Sequence, residues 1–178
     1  MSAGWGELSI AVNVSAVQFF NSDLVAEFAR ATQEFGLERG ALQVELTESS
    51  LMRKPAQAKQ TMQRLHEQGV CISLDDFGTG YSNMSYLQHL PLDILKIDRS
   101  FVDGIAAEST DRAIARTILV LAHEMGLRTI AEGVETAEQM RALQQMGCDE
   151  MQGYFFGRPM EVDEATALAR GQLRQAMI

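Results

Sequence analysis

The stretch PAQAKQTMQRLHEQGVCISLDD, residues 55–76, holds the unit from which the rest of the chain is built. Pro55 suits the first helical position, where its missing N–H leaves no bond unmade. Helical residues run from Ala56 to Gln68, and Gly69 follows, the residue type that takes a left-handed backbone at low cost and caps the freed carbonyls. Val70–Leu74 then forms a short apolar run of the kind a strand covered on both faces requires, and Asp75 and Asp76 stand where it stops.

The same punctuation recurs. Asp23–Phe35 stops at Gly36, Asp111–Met125 at Gly126 and Ala137–Met146 at Gly147. Thr110 and Thr136 suit N-caps, and Thr136 with Gln139 has capping-box spacing. Ile114, Ile118, Leu121 and Met125 recur at helical steps, so one face of that helix is expected to be buried. The strands are expected at Leu8–Val14, Leu42–Leu46, Val70–Leu74, Ile94–Ile97, Thr129–Ala131 and Gln152–Phe156. Alternation of this kind predicts an α/β protein with a parallel sheet, either open and doubly wound or part of a (β/α)8 barrel.

Composition narrows the function. The 178 residues are 46% hydrophobic and 22% charged, enough for one domain with a core. The formal charge of -9 repels phosphate backbones and anionic lipid, so neither a nucleic-acid polymer nor a membrane surface is expected as a partner. No apolar run approaches a membrane span, and residues 1–7 lack the basic and apolar parts of a leader, so a cytoplasmic location is expected. Cys71 and Cys148 lie far apart without CxxC spacing and read as inert thiols.

Ligands of α/β folds bind beyond the carboxyl ends of the strands. Those positions carry Asn13, then Glu45, Thr47 and Glu48, then Asp75 and Asp76, then Lys96 and Asp98, then Glu132 and Glu135, with Gln152 opening the last strand. Crowded carboxylates raise one another's pKa, and a dication resolves the conflict. Oxygen donors without histidine or cysteine favour Mg2+ or Mn2+, and adjacent Asp75 and Asp76 could serve one ion each of a pair that clamps a phosphoryl group. Competing motifs fail. The glycines after Asp76 miss the dinucleotide fingerprint, the Asp76–Gly78 triplet lacks the other parts of a kinase, and His123-Glu124 meets Leu127 where a zinc protease needs its second histidine.

Five stretches carry a family resemblance: AVNVSA (11–16), VELTES (44–49), SLDDFGTGYSNMSYLQHLPLDILKIDRSFV (73–102), TIAEGVET (129–136) and MQGYFFGRPM (151–160). In this order they resemble the EAL-domain cyclic di-GMP phosphodiesterases of bacteria. The resemblance implies an incomplete, modified (β/α)8 TIM-type barrel of about six βα units, with two Mg2+ or Mn2+ ions in an intact site. It implies Asn13, Glu45 and Asp75 as metal ligands, with Asp76 and Glu132 at the second ion. Lys96, Glu48 and Asp76 are implied as catalytic positions: Lys96 contacts the attacking water and Glu48 steadies the loop after Asp76. Gln152 and Asp98 are implied as ligand-binding positions.

The implied reaction is hydrolysis of cyclic di-GMP to linear pGpG, and the alternative is a non-catalytic cyclic di-GMP-binding or protein-interaction module. The EAL triplet that names the family does not occur in this sequence. The chain is therefore expected to be a single EAL-type domain over residues 1–178 without its first strands, of impaired activity, self-associating through an open sheet edge. A GGDEF or sensor domain is expected in the full protein.

Overall fold

Each glycine that closes a helix turns the chain into the next strand, and the elements follow that rhythm. A computed structural model describes residues 8–78, 87–107 and 109–176. The described elements are β1 (Ile10–Asn13), α1 (Ala16–Asn21), α2 (Leu24–Phe35), β2 (Leu42–Thr47), α3 (Glu48–Leu51), α4 (Pro55–Glu67) and β3 (Cys71–Phe77). They continue with β4 (Ile94–Ile97), α5 (Arg99–Asp103), α6 (Thr110–Glu124), β5 (Arg128–Ala131), α7 (Ala137–Gln145), β6 (Glu150–Met151) and α8 (Val162–Ala176). Gly36, Gly69, Gly126 and Gly147 all adopt positive φ, between 60° and 86°, as helix stops require.

The six strands form one parallel sheet in the order β1-β2-β3-β4-β5-β6. Strictly sequential order decides between the two architectures, because a doubly wound sheet reverses its strand order at a switch point. The sheet also curls. Lys96 on β4 reaches both Glu45 on β2 and Glu132 just beyond β5, strands that would lie roughly 14 Å apart in a flat sheet at about 4.8 Å per step. The result is a curled half-barrel with helices outside.

Central strands are buried on both faces, whereas every residue of β1 is exposed. The core lies between the sheet and its helices, with Leu46, Met62, Leu65, Ile72, Leu74, Leu95 and Ile97 all nearly inaccessible. On α6 the buried stripe centres on Ala115, Ile118, Leu119 and Ala122, while Ile114, Leu121 and Met125 pack at its margins.

Two local expectations are corrected and one feature is added. The last strand is Glu150–Met151, not Gln152–Phe156. Gly153 lies so close to the Val134 backbone that an added Cβ would stand 2.8 Å from the Val134 carbonyl carbon, and Phe156 N–H donates to Gly153 O, so the aromatic run turns away from the sheet. The N-cap of α6 is Ser109, whose Oγ accepts from Arg112 N at 3.2 Å, and Thr110 is the first helical residue. A second capping box, Ser15 with Gln18, starts α1 beside the one expected at Thr136 and Gln139.

At the amino-terminal ends of the strands one arrangement occurs twice. His66 Nε2 lies 3.2 Å from Asp93 Oδ1, and Asp93 Oδ2 accepts from Ile72 N at 2.8 Å. His123 Nε2 lies 3.1 Å from Asp149 Oδ2, which accepts from Thr129 N at 2.8 Å and from Thr129 Oγ1 at 2.7 Å. In each case a residue ahead of one strand fastens the strand beside it to the end of a helix. Partial burial pushes the Asp149 carboxyl up, but the bonds from Thr129 and His123 outweigh it and hold the group below its ordinary value of 3.8.

A carboxyl held low in the folded state stabilises the fold above its unfolded-state pKa, and that contribution is lost as pH falls through the folded-state pKa. Asp149→Asn should lower the urea midpoint near neutrality, and its gap from the parent should close as pH is lowered towards about 3. A gap that stayed constant over that range would show that the charge on Asp149 contributes nothing.

Candidate active site

Parallel pairing puts the carboxyl ends of all the described strands on one rim. Asn13 ends β1 and pairs with Glu45 on β2. Thr47 at the end of β2 pairs with Asp75 on β3. Lys96 is the penultimate residue of β4, and Glu132 follows the last residue of β5. Gln152 directly follows β6, so the corrected end of that strand still delivers it to the rim.

Lys96 occupies the centre. Its side chain is 3% exposed, and Nζ lies 2.8 Å from Glu45 Oε1, 3.4 Å from Asp75 Oδ1 and in contact with Glu132 Oε1. Gln152 Nε2 donates to the same Glu132 oxygen at 2.7 Å. Burial alone would push the Lys96 ammonium down, but its bonds to Glu132 and Glu45 and the charges of Glu132 and Asp75 hold its pKa above the ordinary lysine value. Glu132 is raised by burial, with Asp75 and Glu45 adding to the effect and Lys96 opposing it.

Asp76 has a special backbone. Its φ of 56° makes it the non-glycine residue in left-handed conformation among the described residues, a state that costs about 1–2 kcal/mol for an L-residue. The β3–β4 register slips between Leu74 and Phe77, so this is a bulge, the device that re-aims side chains at a strand end. Asp76 N donates to Asp75 Oδ1 at 3.0 Å. Burial, then the neighbouring charges of Asp75 and Asp98, push the Asp76 carboxyl up against the pull of Lys96.

Glu48 is buried as the first residue of α3. The residues it is expected to steady, 79–86, lie outside the described part of the chain. Asp98 caps α5 by accepting from Ser100 N at 3.0 Å. Glu135 is half-exposed and paired with Arg99 at 2.8 Å. Arg99 lies within the stretch 73–102 that carries the family resemblance but is given no role there; the fold lays its side chain across Gly133.

The charge conflict read from the sequence is therefore met partly from within, by a lysine. Among the described residues no three carboxylate, imidazole or thiol groups are spaced to grip a metal ion directly. The donor set still suits a hard dication: the donors are all oxygens, and three carboxylates around one ammonium leave two negative charges uncompensated. The ammonium marks the place where these oxygens favour a cation.

Comparison with known proteins agrees with this geometry. Residues 3–159 match the family model described as the EAL domain. The chain is 44% identical over 158 residues to the cyclic di-GMP phosphodiesterase NbdA of Pseudomonas aeruginosa, covering 89% of this chain and 20% of that protein. The solved PaMucR phosphodiesterase in complex with c-di-GMP superposes with a TM-score of 0.83 at 43% identity, over 88% of this chain and 64% of that one. The manganese and cy-diGMP complex of Klebsiella pneumoniae BlrP1 gives a TM-score of 0.78 at 30% identity, over 85% of this chain and 39% of that one. The chain thus spans about a fifth of the length of the curated relatives it matches. A six-stranded parallel half-barrel with an acidic rim closed on one lysine, matched over nearly its whole length by one family model, belongs to the EAL domain family.

Proposed function

We propose that this chain supplies the hydrolytic core of a metal-dependent cyclic di-GMP phosphodiesterase that opens one phosphodiester bond to give linear pGpG. The observation that carries the reading is the meeting of Glu45, Asp75 and Glu132, from three separate strand ends, on the buried Lys96 ammonium. The names of NbdA and of the PaMucR complex support the substrate, and the BlrP1 complex supports manganese as one usable ion.

In this reading Asn13, Glu45 and Asp75 hold one Mg2+ or Mn2+ ion, and Asp76 and Glu132 serve a second. When bound, such ions lower the pKa of water and draw charge from the phosphoryl oxygens. Water adds at phosphorus, the bond from phosphorus to one ribose oxygen breaks, and that oxygen takes up the proton. Lys96, an ammonium already paired with Glu45 and Glu132, acts as a hydrogen-bond donor to water and phosphate and not as a base. Gln152 spends its Nε2 on Glu132, which leaves its amide oxygen to accept from the attacking water. Glu48 supports the segment beyond Asp76, and Asp98 adds a nucleotide contact beside it. The acidic chain approaches its anionic substrate through the cations.

The wider setting belongs to the same proposal. The domain works in the cytoplasm, in a longer protein with a GGDEF or sensor partner. Self-association runs through the open sheet edge at β1, where Ile10 is 63% exposed. No described helix is long and apolar enough to cross a membrane.

Activity is impaired in this chain on the same reading, so incubating it with cyclic di-GMP and Mn2+ should yield pGpG slowly on chromatography, and Asp75→Ala should abolish the product. Nucleotide binding without product in the parent chain would instead establish the non-catalytic module. Lys96→Ala should destabilise the metal-free fold by up to about 3 kcal/mol, because buried Glu45 and part-buried Asp75 and Glu132 lose their counter-charge. Added Mn2+ should return part of that loss in a thermal melt if the same oxygens bind the ion. Asp76→Gly removes the left-handed strain together with a metal donor. Its melting temperature should stay level or rise while pGpG formation falls at least about a hundredfold; a parallel fall of both would deny Asp76 a role in the chemistry.

A further inference from the structure

Helix α5 begins three residues after Lys96 and touches both of the turns that follow the flanking acidic positions. On one side, a Cβ added to Gly78, just past Asp75 and Asp76, would stand 3.1 Å from the Phe101 ring. On the other, the stem of Arg99 fills the space above Gly133, where an added Cβ would stand 2.8 Å from Arg99 Cβ and Cδ. Gly133 has φ of 71° and directly follows Glu132. Beyond the glycine, Arg99 reaches Glu135 at 2.8 Å through its terminal nitrogen and Asp103 at 3.4 Å through Nε.

The segment Arg99 covers is otherwise held from below and from behind. Glu132 N donates to Ile97 O, and Val134 N donates to Gln152 O. Gln139 Oε1 accepts from both Glu135 N and Thr136 N. These bonds fix the two ends of the turn but leave its outer side to whatever lies on Gly133. A planar guanidinium that pairs at two points while its stem packs on a glycine supplies that restraint.

We infer that Arg99 is a positioning residue, which presses the Gly133 turn inward and thereby sets the Glu132 carboxylate against Lys96 and Gln152. The inference rests on the reading of this rim as a hydrolytic site. Arg99 touches no reacting atom in that reading; it acts through Gly133 and Glu135. Phe101 gives the same short helix a hold on the opposite turn, so α5 ties the two acidic turns to the strand that carries Lys96.

The test compares the 178-residue chain with Arg99→Ala and Gly133→Ala by amide hydrogen exchange, thermal melting and pGpG formation in Mn2+. In Arg99→Ala the peptide covering residues 132–136 should exchange about tenfold faster while peptides from β2 and β3 keep their rates, the signature of local opening. Its kcat should fall roughly a hundredfold with KM nearly unchanged, as expected when a reacting arrangement loosens without losing substrate contacts. Gly133→Ala should be less destabilising in the Arg99→Ala background than in the parent, because the added methyl group then meets no stem.

Unchanged exchange at 132–136 in Arg99→Ala would overturn the inference, as would a uniform loss of protection and melting temperature across the fold. So would additive effects of the two substitutions. If the parent chain forms no pGpG, the hydrolytic reading fails by itself, and exchange with the double-substitution cycle still decides whether Arg99 restrains the turn.

Discussion

One buried ammonium shared among three carboxylates is the interaction on which the rim depends. Taking Lys96 out of water is unfavourable, and so is bringing Glu45, Asp75 and Glu132 together. Each makes the other tolerable, and the balance still leaves negative charge in excess. That residue of charge gives a structural cluster the electrostatics of a cation site. It also requires the curl of the sheet, since a flat one would hold the carboxylates of β2 and of the β5 end too far apart for one Nζ to reach.

The rest of the rim can be understood as the means of keeping those groups in place. A bulge and a left-handed Asp76 turn the end of β3, at a cost in backbone strain that a purely structural strand end would have no reason to retain. Glu132 is held by the strand bond at its own N–H, by the Gln152 amide and by Lys96. The glycines at 133 and 153 matter for what lies upon them: the stem of Arg99 in one case and the backbone of Val134 in the other.

Much of this was legible from the residues because the governing constraints are local. A helix stop needs a residue that tolerates positive φ, and Gly36, Gly69, Gly126 and Gly147 all announce one. Strand-end acids are visible once the strands are placed, and the bounds expected for one strand, Ile94–Ile97, are those of β4. Readings failed where the deciding contact is distant in sequence. Nothing near Gly153 says that Val134 will crowd it, so the aromatic run Tyr154–Phe156 looks like a strand and is a turn. Ser109 takes the cap from Thr110 at the head of α6, with its hydroxyl also donating to Gly104 O. The balancing role of Lys96 is likewise invisible until the sheet curls and brings Glu45 within reach.

The twin fastenings at the base of the strands have a mechanical side. His66 with Asp93 closes β3 onto β4, and His123 with Asp149 closes β5 onto β6, each histidine six residues ahead of the amide its aspartate receives. A pulling force applied to the end of the chain would therefore meet added resistance at the β3–β4 and β5–β6 seams, and the clasp matters most at the second, where the strands themselves pair over only Ile130–Ala131 and Glu150–Met151.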